Sequence, residues 1–357
     1  MEIYFILLGW SFFTGFVFYG INKFSVNDKV LKIIYCCINY IPLAIVLGIR
    51  DKTVGTDTGM YHNIFLDVAR NEFNWSFLDS NFVEIGYRII NKVISFFILD
   101  DNIAVMLIAF ITIGGFAVFF YKNSYNIWLT TFLFIGFSYY LETFNTMRQV
   151  LACMIICNAF IFLKNKKNIY WIISVLIAST IHFSSVIFLV FTKVLPLNKK
   201  KLIVYILPII LLYFCIDIFS EYFILLDVVG DKYKGYFLDE NILMNLNDIL
   251  KILLFFSFIG WGYYKRFLFS EDEKNFFSIC SIFLIYAIIC IVMKSKMPVF
   301  YRFVQYFSIY FCILCPFILE KTRWIKYVFF IGIILTIPII LEIFLSKNPD
   351  FMYSIFF

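Results

Sequence analysis

The sequence predicts an all-α fold, a polytopic transmembrane helix bundle, on three observations. Hydrophobic residues make up 62% of the 357 residues and charged residues only 15%. Soluble globular chains have roughly 45–50% and about 25%. Mean hydropathy is +0.89. Apolar windows of the length that crosses a bilayer core recur from one end of the chain to the other. The expected count is about 10 full spans, plus one broken helical hairpin, in a single integral membrane domain over 1–357.

The first window, 2–21, has no basic region before it and no clean small-residue cleavage site after it, so it reads as a retained helix. Further windows follow at 33–49, 103–121, 127–142, 147–163, 202–220, 249–268, 276–293, 298–319 and 326–345. Between the second and third lies the longest polar stretch, 50–81. It leads into "FVEIGYRIINKVISFFIL", 82–99, whose charged and apolar residues alternate at helical spacing. That pattern predicts an amphipathic helix lying at the interface rather than a span. The "GGF" at 114–116 falls inside a window and reads as helix packing.

Lysine and arginine clusters orient the spans. Lys23, Lys29 and Lys32, then Lys164, Lys166 and Lys167, then Lys321, Arg323 and Lys326 are placed in the cytoplasm. The N-terminus and the connections 50–101, 142–146, 221–248 and 294–299 then fall outside. The segment 170–195 has basic clusters on both sides, and its polar centre "STIHFSS" divides it into two pieces too short to span. It is expected to form a helical hairpin with His182 near the tip; one long tilted helix is the alternative. Broken helices at membrane depth occur where they line a cavity.

This orientation gathers the polar residues with chemical potential near one face. Arg148 and Gln149 open an apolar helix, where a guanidinium and a helix N-terminus together suit a phosphate or diphosphate. Snorkelling to the interface is the plainer account. Arg302 repeats the arrangement after Pro298, and Arg50 precedes the polar loop "GTDTGMYHNIF". In that loop the small residues, with Thr56 and Thr58, let backbone N–H groups approach a phosphate or sugar. Asp57 and Glu84 are candidate carboxylates for a hydroxyl. A turn cap for Asp57 and an i,i+4 pair with Arg88 for Glu84 are the structural alternatives. His182 is a candidate general base, or a helix–helix hydrogen-bonding residue. Lys232, Tyr233, Lys234 and Tyr236, in "GDKYKGYF", combine cations with aromatic platforms for sugars, though such residues also anchor interfaces.

The nine cysteines fall in apolar runs without a ligand pattern, so no disulfide, metal site or cofactor is expected. There is no P-loop and no dinucleotide fingerprint, and nothing points to nucleic acid.

Five motifs in order then resemble a known family. "RDKTVGTDTGMYHNIF" from Arg50, "EIGYRIINKVI" from Glu84, "NTMRQVLACMI" from Asn145, "STIHFSSVIFL" from Ser179 and "KYKGYF" from Lys232 are similar to the EpsG-like branch of Wzy-type polysaccharide polymerases. The resemblance covers about residues 1–320. It implies a GT-C-like glycosyltransferase architecture and a role in O-antigen, capsule or exopolysaccharide assembly. It also implies action on undecaprenyl-diphosphate-linked repeat units at the outer face of the bacterial cytoplasmic membrane, beside a chain-length regulator and a flippase. In that chemistry Arg148, with Arg50 and Arg302, would hold the diphosphate. His182, Asp57 or Glu84 would serve the acceptor hydroxyl. An O-antigen ligase shares this donor and differs in acceptor. A glycolipid flippase is expected to spread ionisable residues through the depth of many helices.

Overall fold

The computed structural model describes residues 2–22, 28–71, 83–193, 244–294, 300–324, 331–332 and 335–336. Among them the chain is helical, with no β-strand. Two compact units are present: residues 1–193 with 327–357, and residues 194–326. Six helical stretches are long and apolar enough to cross a membrane: Lys29–Gly48, Asp101–Asn123, Met147–Lys164, Leu246–Tyr264, Glu271–Met293 and Phe300–Lys321. This is a multi-pass membrane protein. The expected window 202–220 and nearly all of 326–345 lie outside the described residues, as does the greater part of the loop 221–248.

The first unit runs α1 (Glu2–Asn22), α2 (Asp28–Gly48), α3 (Thr58–Arg70), α4 (Ile85–Ser95), α5 (Asp101–Asn123), α6 (Ile127–Gly136), α7 (Tyr139–Asn145), α8 (Met147–Lys164) and α9 (Asn168–Ile181), then a 3-10 run, Phe183–Lys193. Start signals are local. Asp100 caps α5 by accepting from the Asn102 and Ile103 N–H groups at 2.9 and 3.0 Å. Helices α5 and α8 then pack closely because Gly115 presents no side chain. Its carbonyl accepts from Asn158 Nδ2 at 2.9 Å, and the Met154 side chain fills the space beside it. Small residues that let backbones approach are the usual device between membrane helices.

Two expectations change. The window 127–142 is not one span. Helix α6 ends at Gly136, Ser138 takes a left-handed φ of 65°, and a separate short helix α7 follows. A left-handed residue cannot continue a right-handed helix. The expected connection 142–146 is therefore partly helical, and the Phe144 and Asn145 carbonyls at its end accept from the Thr58 and Tyr61 hydroxyls.

The amphipathic helix exists as α4, with its polar face turned inward. Arg88, Asn91, Lys92 and Ser95 are buried, whereas Ile89, Val93 and Phe96 are exposed, with Phe97 beyond the helix end 84% exposed. Lys92 Nζ donates to the Val68, Ala69 and Asn71 carbonyls at 3.2, 3.4 and 2.7 Å. It thereby satisfies the C-terminal end of α3, where a cation is favoured. An outward apolar stripe over an inward polar face is the arrangement for a helix whose outer side meets lipid.

The hairpin expected at 170–195 is present over its described part. Helix α9 ends at Ile181, His182 is extended (φ −150°, ψ 113°), and the 3-10 run turns back. Trp171 Nε1 donates to the Phe188 carbonyl at 3.2 Å and the two rings meet edge to face. Residues 17 apart can touch this way only if the chain reverses between them.

The second unit contains α10 (Leu246–Tyr264), α11 (Glu271–Met293), α12 (Phe300–Ser308) and α13 (Phe311–Lys321). Capping boxes start α10 and α11: Asn245 with Asp248, and Ser270 with Glu273.

Candidate functional site

Three elements of the first unit bring ionisable side chains to one point. Glu84 sits at the N-cap of α4, Arg148 is the second residue of α8, and His182 is the hinge of the hairpin. Arg148 Nη1 donates to Glu84 Oε2. The other carboxylate oxygen, Oε1, lies 3.2 Å from His182 Nδ1, off the line of a well-formed hydrogen bond. The Arg148, Glu84 and His182 side chains are 13%, 22% and 12% exposed. Glu84 therefore does not serve as the local partner of Arg88 but bridges two residues distant in sequence.

The close approach of α4 to α9 makes this possible. A Cβ at Gly86 would lie 2.7 Å from the Thr180 carbonyl carbon and oxygen. Only glycine allows that spacing, and Gly86 and Thr180 are each two residues from the groups that meet.

Burial works to raise the pKa of Glu84. His182 and the Arg148 charge outweigh it and hold the carboxyl down at about 2, against an ordinary 4.5. The group is ionised and tightly paired. Arg148 Nε and His182 Nε2, by contrast, are buried with no hydrogen-bond partner among the described residues. Unsatisfied buried donors and acceptors are costly, and they concentrate where a ligand is handled.

The loop at 50–58 packs against the break between α7 and α8. Asp51 Oδ1 accepts from the Thr53 N–H and hydroxyl at 2.9 and 2.7 Å, an Asx turn. Gly55 has a φ of +89°, and a Cβ there would lie 2.4 Å from the Phe144 carbonyl oxygen. The Thr56 N–H donates to Asn145 Oδ1 at 3.1 Å. Tyr61 Oη donates to the Asn145 carbonyl at 3.4 Å, and its ring stands edge-on to buried Tyr87. Burial, with the Asp57 charge adding and the Arg148 charge opposing, pushes the Tyr61 phenol up to about 12.

The other predicted residues divide. Asp57 is half-buried at the start of α3 and makes no side-chain cap, so the turn-capping alternative is not what the structure contains. Thr56 is exposed. Thr58 is fully buried: its hydroxyl donates to the Val54 carbonyl at 2.6 Å and accepts from Arg50 Nε at 3.2 Å. Arg50 is 1% exposed; it also donates to the Leu47 carbonyl and stacks on Phe144. Thr58 and Arg50 are thus placed inside the wall behind the loop. Gln149 is buried within α8. Arg302 belongs to α12 of the second unit, and Lys232, Tyr233, Lys234 and Tyr236 lie outside the described residues.

A second constellation escaped the sequence. His62 Nδ1 lies 2.8 Å from Asp101 Oδ2, which Lys52 Nζ also meets at 2.6 Å. Burial pushes the His62 pKa down despite Asp101. Nothing in the sequence links residues 39 apart across a loop; the one local sign was a histidine on the buried face of α3. In the second unit, Lys294 and Asp248 form a buried ion pair at 2.6 Å, with Tyr301 over the ammonium. No group of three metal-ligating side chains occurs among the described residues.

A comparison with family models matches residues 33–356, nearly the whole chain, to the EpsG family. No match to a curated protein or to a solved structure was found.

Proposed function

The chain belongs to the EpsG family, and on that premise we propose that it is a glycosyltransferase that polymerises polysaccharide repeat units. The donor in this reading is a glycan on undecaprenyl diphosphate, and the acceptor is the non-reducing end of a second lipid-linked unit. The setting is the outer face of the bacterial cytoplasmic membrane, in a bundle of about ten spans of the GT-C type. The observation that carries the reading is the meeting of Arg148, at a helix N-terminus, with Glu84 and His182.

The chemistry asks for such a set. The bond from the anomeric carbon to the diphosphate oxygen breaks, and its electron pair leaves on the diphosphate. A preorganised cation stabilises that charge as it develops, which is the role of Arg148. The acceptor hydroxyl oxygen bonds to the anomeric carbon, and its proton passes to the Glu84–His182 pair. The outward apolar stripe of α4 begins one residue from Glu84, so a lipid-linked diphosphate would reach Arg148 at the edge of the apolar layer. Asp57 and Thr56, on the adjoining loop, would contact sugar hydroxyls.

The test is complementation of a strain lacking the polymerase by wild type, Arg148→Ala and His182→Ala. Surface polysaccharide is read as a ladder, with membrane levels checked by blot. A single repeat unit with Arg148→Ala at equal protein level supports the reading. A normal ladder with that variant refutes the diphosphate assignment. Loss of even the singly capped unit in the deletion strain would instead favour an O-antigen ligase or a flippase.

A further inference from the structure

We infer that Glu84 is a positioning residue rather than the base. It holds one nitrogen of Arg148 and faces one of His182, and so presents the other side of each: Arg148 Nε to a diphosphate oxygen, and His182 Nε2 to the acceptor hydroxyl. The inference rests on the reading of Arg148 as the diphosphate-binding residue, and it names the proton acceptor within the Glu84–His182 pair.

Three observations carry it. First, each oxygen of Glu84 faces a side chain from another element. Oε2 accepts from Arg148 Nη1, and Oε1 lies 3.2 Å from His182 Nδ1. The carboxylate is the shared centre of the three groups, not their open end.

Second, Arg148 Nε and His182 Nε2, the nitrogens away from the carboxylate, are buried and unpartnered among the described residues. Covalent geometry turns them away from Glu84. In a guanidinium the Nε–H lies along a different edge from Nη1, and in imidazole Nδ1 and Nε2 point to opposite sides of the ring. Glu84 obstructs neither. A phosphate oxygen accepts from Nε while Glu84 stays on Nη1, and the guanidinium is then held from two sides.

Third, the carboxylate selects the tautomer of His182. A lone pair on Nδ1 would face a negatively charged oxygen 3.2 Å away, whereas an N–H there is attracted to it. The neutral ring therefore carries its proton on Nδ1 and its lone pair on Nε2. In the transfer step the acceptor hydroxyl oxygen bonds to the anomeric carbon, and its proton passes to His182 Nε2. The bond to the diphosphate oxygen breaks, with its electron pair going to the diphosphate beside Arg148. Glu84 keeps its charge throughout and stabilises the imidazolium that forms.

The experiment measures binding of farnesyl diphosphate, a short polyprenyl diphosphate, to the full-length protein in nanodiscs, beside the polysaccharide ladder at matched membrane level. Wild type, Arg148→Ala, Glu84→Gln and Glu84→Ser are compared, each checked for monodispersity. Serine is a preferred N-cap residue, so Glu84→Ser removes the carboxylate without weakening the start of α4. Arg148→Ala and Glu84→Ser are each expected to weaken binding about tenfold, the worth of one hydrogen bond to a charged group. Glu84→Gln is expected to bind as wild type does, since its amide oxygen still accepts from Nη1. It is also expected to lose the ladder, because its amide N–H donates to Nδ1 and drives the His182 proton onto Nε2. Mere loss of a negative charge beside a diphosphate would instead tighten binding in both Glu84 variants. If Arg148→Ala weakens binding but Glu84→Ser binds as wild type or tighter, positioning is overturned and the diphosphate site stands. If Glu84→Gln binds as weakly as Glu84→Ser, or keeps the ladder, positioning is overturned as well. If Arg148→Ala binds like wild type, the diphosphate site falls and the role of Glu84 with it.

Discussion

Adding one methyl group at Gly86 should disable the site without touching any ionisable residue. The Cβ of Gly86→Ala would lie 2.2 Å from Thr180 Oγ1 and 2.7 Å from the Thr180 carbonyl carbon and oxygen. The hydroxyl can rotate, although that breaks its 2.7 Å bond to the Ile177 carbonyl. The backbone cannot. Restoring an ordinary 3.4 Å contact requires α4 and α9 to separate by 3.4 − 2.7, about 0.7 Å. Glu84 and His182 are each two residues from the clash, so their 3.2 Å approach would open toward about 3.9 Å, the outer limit of an ion-pair contact. Overpacking of this kind costs about 1–3 kcal/mol, which a multi-pass bundle survives. A shift of about 1 Å in a catalytic group, however, can cost roughly 10²-fold in rate. The assay is the polysaccharide ladder at matched membrane level, for Gly86→Ala, Thr180→Gly and the double variant. Gly86→Ala should collapse the ladder, Thr180→Gly should retain it, and the double variant should stay impaired because the carbonyl remains. A normal ladder from Gly86→Ala refutes the claim that helix spacing sets the site. Full rescue by Thr180→Gly would show that the side chain alone was limiting.

Three further outcomes are expected. Gly55→Ala must carry a left-handed residue and press on the Phe144 carbonyl; a loss of roughly 2 kcal/mol or more should appear as a lower melting temperature and faster proteolysis at 50–58. Arg50→Ala leaves the Thr58 hydroxyl and Leu47 carbonyl without their donor inside the wall; a loss of about 1–3 kcal/mol should appear as a lower melting temperature, with Arg50→Lys intermediate. For Glu84 the folded pKa, about 2, lies below the ordinary 4.5, so its stabilisation is complete above 4.5 and lost as pH falls toward 2. With about 1.36 kcal/mol per pKa unit, the ceiling is ~3 kcal/mol, less after allowance for partial exposure. The melting temperature of wild type should therefore drop more steeply than that of Glu84→Gln below pH 4.5, and run parallel to it above pH 5.

What the sequence determined by itself was the membrane class, the helical character and the short list of polar residues worth examining. Those follow from composition and from apolar runs, which are local properties. It also located the hairpin hinge, because "STIHFSS" interrupts an apolar run where a single span would misplace a basic cluster. Arg148 was legible for the same reason: an arginine just inside an apolar helix is conspicuous without any knowledge of its neighbours. The tertiary structure decided the rest. It paired Glu84 with Arg148 and His182 instead of Arg88, since the Gly86 contact brings α4 onto α9. It put Arg50 and Thr58 into the wall, because the Phe144 carbonyl at the α7–α8 break meets the Thr58 hydroxyl, to which Arg50 donates. It joined His62 to Asp101 across 39 residues. An ion pair or a buried guanidinium depends on which surfaces meet, and sequence periodicity records only which surfaces exist.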